Sequence, residues 1–272
     1  MDIQAEKFSV PFGAIDTSDR LTAAATFDFF QEAAINHAEN LGVGREALVR
    51  SGQGWVLSRI SVQWDRRPKW REEVTVRSWP RGWEKLFALR DYDIRDAEDR
   101  PIVRARSGWI VLDLEKRRPL RPQTVMENLP LNDGINAMTG SPVAVEPRAD
   151  YKHIGARLGE RQAAYSDIDY NGHVNNTRYI QWIQDTIEAG VLETAAQMRL
   201  DINYLSEVKF GETVELWSAA IDAVEVSATA GAAADAFGKA DWAYAYEGRR
   251  VGAEADDKAA VFRAELRIRK DR

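Results

Sequence analysis

"WVLSRISVQWDRRPKWREEVTV", residues 55 to 76, and "AAQMRLDINYLSEVKFGETVEL", residues 195 to 216, are two versions of one pattern. Laid over each other, they set Arg59 on Arg199, Val62 on Ile202, Trp64 on Tyr204, Lys69 on Lys209, Glu72 on Glu212, Val74 on Val214 and Val76 on Leu216. Each is an alternating, strand-like run, a charged turn, and a second alternating run. Upstream, across a loop of different length, "FFQEAAINHAENLG" (29–42) lies over "YIQWIQDTIEAGVL" (179–192), with Phe29 on Tyr179, Phe30 on Ile180 and Gln31 on Gln181. Identities are few, but the order of elements is shared. The chain reads as an internal duplication.

Each copy opens with a helix. Apolar residues recur at helical spacing in Phe27, Phe30, Ala34 and Leu41, and again in Tyr179, Trp182, Ile183 and Ile187. Strands follow: "WVLSRISVQW", "EEVTVRSW", "LFALRDYDI" and "PIVRARSGWIVLD" in the first copy. In the second they are "RLDINYL", "ETVELWSAAI", "WAYAYEG" and "AAVFRAELRIR". A short strand is predicted before each helix, in "FSVPF" and "RQAAYS". The Pro-, Gly- and Asn-rich run from Arg121 to Asp150 reads as a linker. The expected class is α+β, with each copy a long helix wrapped by an antiparallel sheet. The boundaries are 1–121, a linker at 122–150, and 151–272.

Composition narrows the chemistry. The 272 residues, 44% hydrophobic and rich in Trp, Phe and Tyr, suffice for two cores. With no cysteine there is no disulfide framework, thiolate metal site or cysteine nucleophile. No apolar run nears the roughly 20 residues that span a bilayer, and "MDIQAEKFSV" is acidic and poor in apolar residues, unlike a signal peptide. The expectation is a cytoplasmic protein without membrane insertion. Net charge is −6, yet between Arg45 and Arg121 Lys and Arg outnumber Asp and Glu. That excess could steer an acidic partner, or simply coat the solvated faces of strands.

"DIDYNGHVNNTRYIQW" (167–182) is the stretch that suggests chemistry. Asp169, Asn171 and His173 alternate, so an extended chain would bring them to one side; "NG" is also a tight-turn signal. Asn175 or Asn176 is a natural N-cap. His173 therefore stands near a helix start, where backbone amides favour developing negative charge. Asp, Asn and Gly also gather before helices for capping alone. In the register above, Asp19 takes the place of Asp169, Leu21 that of Asn171 and Ala23 that of His173, while Arg67 takes that of Glu207. The polar set is expected in the second copy only.

Together with "LDINYLSEVKFGE" (200–212), that stretch resembles the acyl-acyl-carrier-protein (acyl-ACP) thioesterases, as do "WVLSRISVQW", "LRDYDI" and "SGWIVLDLEKRRPLRP" in the first half. The resemblance covers nearly the whole chain. It implies two tandem hot-dog domains with the active site in the second, and places the catalytic groups on Asp169, Asn171, His173 and Glu207. Relatives often carry a cysteine after that glutamate; here Val208 stands there. The implied reaction is hydrolysis of acyl-ACP to free fatty acid and holo-ACP. It needs no cofactor and no metal. The implied partner is acyl carrier protein with a phosphopantetheine-linked chain, not nucleic acid, and the protein would be a monomer or homodimer. Three other readings stay open: an acyl-CoA thioesterase, a hot-dog dehydratase and a non-catalytic acyl-binding module.

Overall fold

The structure, a computed structural model, describes residues 2–147, 155–221, 237–252 and 259–271. The chain divides into two compact units, Met1–Pro142 and Val143–Arg272.

In the first unit α1 (Ala23–Asn40) faces an antiparallel sheet of β1 (Gln4–Ser9), β2 (Gln53–Trp64), β3 (Glu73–Glu84), β4 (Phe87–Arg95) and β5 (Pro101–Asp113), ordered β1-β3-β4-β5-β2. Short α2 (Arg45–Arg50), β6 (Arg118–Leu120) and α3 (Gln123–Met126) complete it. The Thr22 hydroxyl caps α1 by accepting from Ala25 N at 3.1 Å. Its buried residues Ala23, Phe27, Phe30, Ala34 and His37 follow the helical period. Past the C-cap Leu41, Gly42 at φ 70 turns the chain away. Between the alanines the helix lies close to the sheet, where Phe30 meets Tyr92 with ring centroids 5.0 Å apart and Trp64 Nε1 donates to Thr26 Oγ1. Phe30 is 2% exposed, and truncation to Ala would cost about 3–5 kcal/mol.

The second unit repeats this order. Its strands β7 (Ala156–Gln162), β8 (Ala195–Tyr204), β9 (Thr213–Ala220), β10 (Trp242–Arg250) and β11 (Ala260–Lys270) run β8-β11-β10-β9-β7, all antiparallel. The helical pattern at 179–192 is not one long helix. It splits into α4 (Asn176–Gln184) and α5 (Ala189–Glu193). The Thr186 hydroxyl takes the Ile183 carbonyl at 2.7 Å just where α4 ends, a side-chain competitor for the helical bond.

Both leading strands lie earlier than expected. Pro11, which lacks an N–H, precedes a single 3₁₀ turn at Phe12–Ala14. In the second unit Asp167 accepts from Ala164 N and closes the matching turn, Tyr165–Asp167. The stretch from Arg121 onward is not a loose tether. Asn132 exchanges hydrogen bonds with the Asp2 backbone, Trp79 Nε1 donates to Ile135 O, and Ala137 N donates to Asp91 Oδ2. Val143 O and Val145 N pair instead with the Asn203 side chain, each at 2.8 Å.

Much of the basic excess in the first unit is consumed inside the fold. Arg106 pairs with Asp91 and Arg77 with Asp93 on the sheet, and Arg66 and Arg67 of the "DRRPKWR" turn pair with Glu72 and Asp16. Arg117, Arg118 and Arg121 remain exposed. No helix among the described residues is long and apolar enough to cross a membrane.

Candidate active site

Ile168 and Val174 form an antiparallel bridge, and the chain between them is a tight turn. Asp169 N donates to His173 O (2.9 Å) and Gly172 N to Asp169 O (3.0 Å). Gly172 sits at φ 82, a conformation that glycine adopts without steric cost. The Asp169 carboxylate accepts from Asn171 N at 2.8 Å and faces Asn171 Nδ2 at 3.5 Å. The expected extended run is therefore a turn. Asp169 and Asn171 come together through a side chain folded back on the backbone, not through strand alternation, and the Asp169 carboxylate does not reach His173. Asn175 is the N-cap, its Oδ1 accepting from Thr177 N at 3.0 Å, so α4 begins where expected.

Glu207 arrives from the loop between β8 and β9. Val174 N donates to Val208 O (2.8 Å), which ties that loop to the turn one residue past His173 and one past Glu207. The result is a contact between His173 Nε2 and Glu207 Oε2 of 3.1 Å. Both side chains are reachable, at 29% and 44% exposure. Val208, where the resemblance expects a cysteine in many relatives, is fully buried.

Two groups were missed by sequence reasoning. Tyr179 packs its ring against Trp182, Tyr204 and Phe262. Burial, with help from the Glu212, Asp169 and Glu207 charges, raises its hydroxyl well above the ordinary range against the pull of Arg250, so it stays protonated. Tyr204, also pushed up by burial, donates to Asn176 O at 3.1 Å and fastens the helix start. Arg250, the last residue of β10, donates to Glu207 O (2.5 Å) and lies 3.6 Å from Glu212 Oε2. The aromatic spacing of α4 hinted at Tyr179; nothing local marked Arg250. His153, the third histidine, lies outside the described residues.

The first unit carries the same turn with other side chains. Ile15 bridges Leu21, Asp16 N donates to Arg20 O, Asp19 N to Asp16 O, and Ser18 N to Asp16 Oδ1. Leu21 N donates to Pro68 O as Val174 N does to Val208 O. The counterparts of Asp169, Asn171 and His173 are thus Asp16, Ser18 and Arg20. The register used on the sequence, which chose Asp19, Leu21 and Ala23, is corrected by three residues. It followed aromatic residues within the helices; aligning the N-caps Thr22 and Asn175 gives the right one. Arg67, in the place of Glu207, is buried and pairs with Asp16 while donating to Ser18 Oγ.

Family models of the acyl-ACP thioesterase N-terminal domain and C-terminal domain match residues 2–128 and 157–239. The chain belongs to the acyl-ACP thioesterase family. Similar curated proteins include the chloroplastic oleoyl-acyl carrier protein thioesterase of Coriandrum sativum, 26% identical over 230 residues, which are 77% of this chain and 60% of that protein. The chloroplastic palmitoyl-acyl carrier protein thioesterase of Cuphea hookeriana is 26% identical over 216 residues, 74% of this chain and 51% of the relative. The chain thus spans between half and two thirds of their length. Among solved structures, an acyl-ACP thioesterase from Bacteroides thetaiotaomicron superposes with TM-score 0.79 at 24% identity, covering 98% of this chain and 97% of that one. The 12:0-ACP thioesterase from Umbellularia californica gives 0.78 at 19%, covering 99% and 94%. These likenesses establish the fold as the tandem hot-dog arrangement of this thioesterase family.

Proposed function

We propose that the chain hydrolyses acyl-ACP to free fatty acid and holo-ACP, ending fatty-acid elongation in the cytoplasm, with its active site in the second unit. The observation that carries this is the accessible His173–Glu207 contact; the first unit has Arg20 and Arg67 at those two positions, and its Arg67 is buried against Asp16. His173 Nε2–H donates to Glu207 Oε2, and the half-exposed carboxylate is within reach of a water. Glu207 takes a proton from that water as its oxygen attacks the thioester carbonyl. The oxyanion receives N–H groups from the Asn171 amide and from the start of α4. Thr177 N is occupied by Asn175, while Asn176 N has no acceptor among the described residues. The intermediate then collapses and expels the pantetheine thiolate, which takes up the proton. Asp169 holds Asn171 through both its backbone and its side chain.

Turnover of acyl-ACPs of graded chain length, beside matched acyl-CoA and hydroxyacyl-ACP, tests the assignment. Release of fatty acid from acyl-ACP with much slower release from acyl-CoA is the expected result. Preference for acyl-CoA, or loss of water from hydroxyacyl-ACP, would assign the site to one of the other hot-dog activities. Binding of acyl-ACP without turnover would make the chain an acyl-binding module.

A further inference from the structure

We propose that Arg250 is a positioning residue for Glu207, holding the main chain of the loop on which the carboxylate is presented; the inference rests on the thioesterase reading above. A half-exposed glutamate on a loop is placed only as well as its backbone is placed. Glu207 needs that accuracy, because misplacing a reacting group by about 1 Å can cost about a hundredfold in rate.

The loop is braced at both ends. Leu205 N and Ser206 N donate to Val261 O at its start, and Lys209 N donates to Glu212 Oε2 (2.8 Å) at its end. Arg250 bridges the two. Its Nη2 donates to Glu207 O and to Ser206 Oγ (3.4 Å) and faces the same Glu212 Oε2. A charge-assisted bond to a carbonyl is the stronger kind, and this one grips the residue that carries the chemistry.

The first unit shows what was changed. By strand register Arg250 answers to Asp96, since Arg249 pairs with Glu215 as Arg95 pairs with Thr75. There the cation comes from the loop itself: Arg66 forks onto Glu72 at 2.6 and 3.0 Å and lies 3.5 Å from Asp96. Lys69 N still donates to Glu72. In the second unit the polarity is reversed. Ser206 replaces the loop arginine, and the guanidinium reaches in from the end of β10 to hold a carbonyl. An arginine at 206 would sit next to Glu207 as a competing partner. Supplied from the strand and bound to the backbone, the cation fixes the loop and leaves the carboxylate to His173.

The test is a double-mutant cycle on the full chain with an imidazole ¹⁵N spectrum, which the three histidines keep simple. Arg250→Gln should lower kcat by about tenfold to a hundredfold with little change in KM, and Arg250→Lys should recover part of the loss. In a Glu207→Ala background, Arg250→Gln should cost nothing further, whereas a merely stabilising arginine would cost the same in both backgrounds. The His173 Nε2 resonance of the free protein should move in Arg250→Gln and return toward its original position in Arg250→Lys. Equal losses in both backgrounds, or unchanged kcat, would overturn the proposal. If the unaltered protein turned over no acyl thioester, the thioesterase reading would fall by itself. The His173 signal would then decide: a shift upholds the positioning role, and a fixed signal sinks it.

Discussion

The turn before each helix is built twice on one backbone plan and put to opposite uses. In the first unit Asp16, Ser18 and the buried Arg67 close on one another. In the second, Asp169 folds onto Asn171, and Glu207 meets His173 at the surface. The main-chain bonds are the same; the buried arginine of the loop gives way to an accessible glutamate. A tightly neutralised cluster stabilises its own unit, and an accessible, partly solvated one can accept a substrate.

This contrast can be broken where it is strongest. Arg67→Ala leaves the partly buried Asp16 carboxylate without its cation and should cost about 3 kcal/mol of stability, read in urea melts. Burial would raise the Asp16 carboxyl, but hydrogen bonds from Ser18 and Arg67 and the Arg67 charge outweigh it and hold it below its ordinary value. A depressed carboxyl stabilises above its unfolded pKa, and the gain is lost as pH falls through the folded one. The gap between native and variant should therefore narrow as pH drops below about 4. A gap independent of pH would show that Arg67 acts through packing alone.

Next in size, Glu207→Ala and His173→Ala should each lower kcat about a hundredfold or more and leave the melting curve in place. Near-native turnover in both variants would remove the site from the second unit. A smaller effect concerns the remaining cations of the first unit. Acyl-ACP hydrolysis should fall with salt more steeply than that of a short acyl-pantetheine, since exposed charges are screened over a Debye length of about 8 Å at physiological ionic strength. Reversing Arg117 and Arg118 to Glu should raise KM for acyl-ACP alone, by a few fold. Parallel salt slopes would end the idea of electrostatic docking. Smallest of all, EDTA and thiol alkylators should leave the rate unchanged, because a carboxylate-activated water and a thiolate leaving group ask for neither metal nor cysteine. Loss of activity to chelator, restored by one metal, would reverse that expectation.

The strands and the start of α4 were legible because they rest on local period and capping. Val74, Val76 and Phe30 declare their faces, and Asn175 its cap. Glu207 came only from the family resemblance, which places a glutamate after the strand that bears Tyr204; alone it read as a solvated surface residue. The register between the copies was not, because aromatic residues recur within a helix at several shifts, whereas the cap occurs once. Asp169, Asn171 and His173 do share one turn, but the extended geometry expected of them gave way to Gly172 and that turn. Arg250 and the buried pairs on the sheets had no local signal at all. Their partners lie on distant strands, and sequence order says nothing about which cation meets which carboxylate.

The main-chain bond from Val174 to Val208, with its twin from Leu21 to Pro68, has a consequence for descent. In both units it lies one residue past each of the two positions that in the second unit hold His173 and Glu207, so it holds those positions opposite one another whatever side chains they bear. After a duplication, an arginine pair or a histidine–glutamate pair could be tried there without rebuilding the loop. Chemistry at these two positions would then be separable from the fold, one substitution at a time.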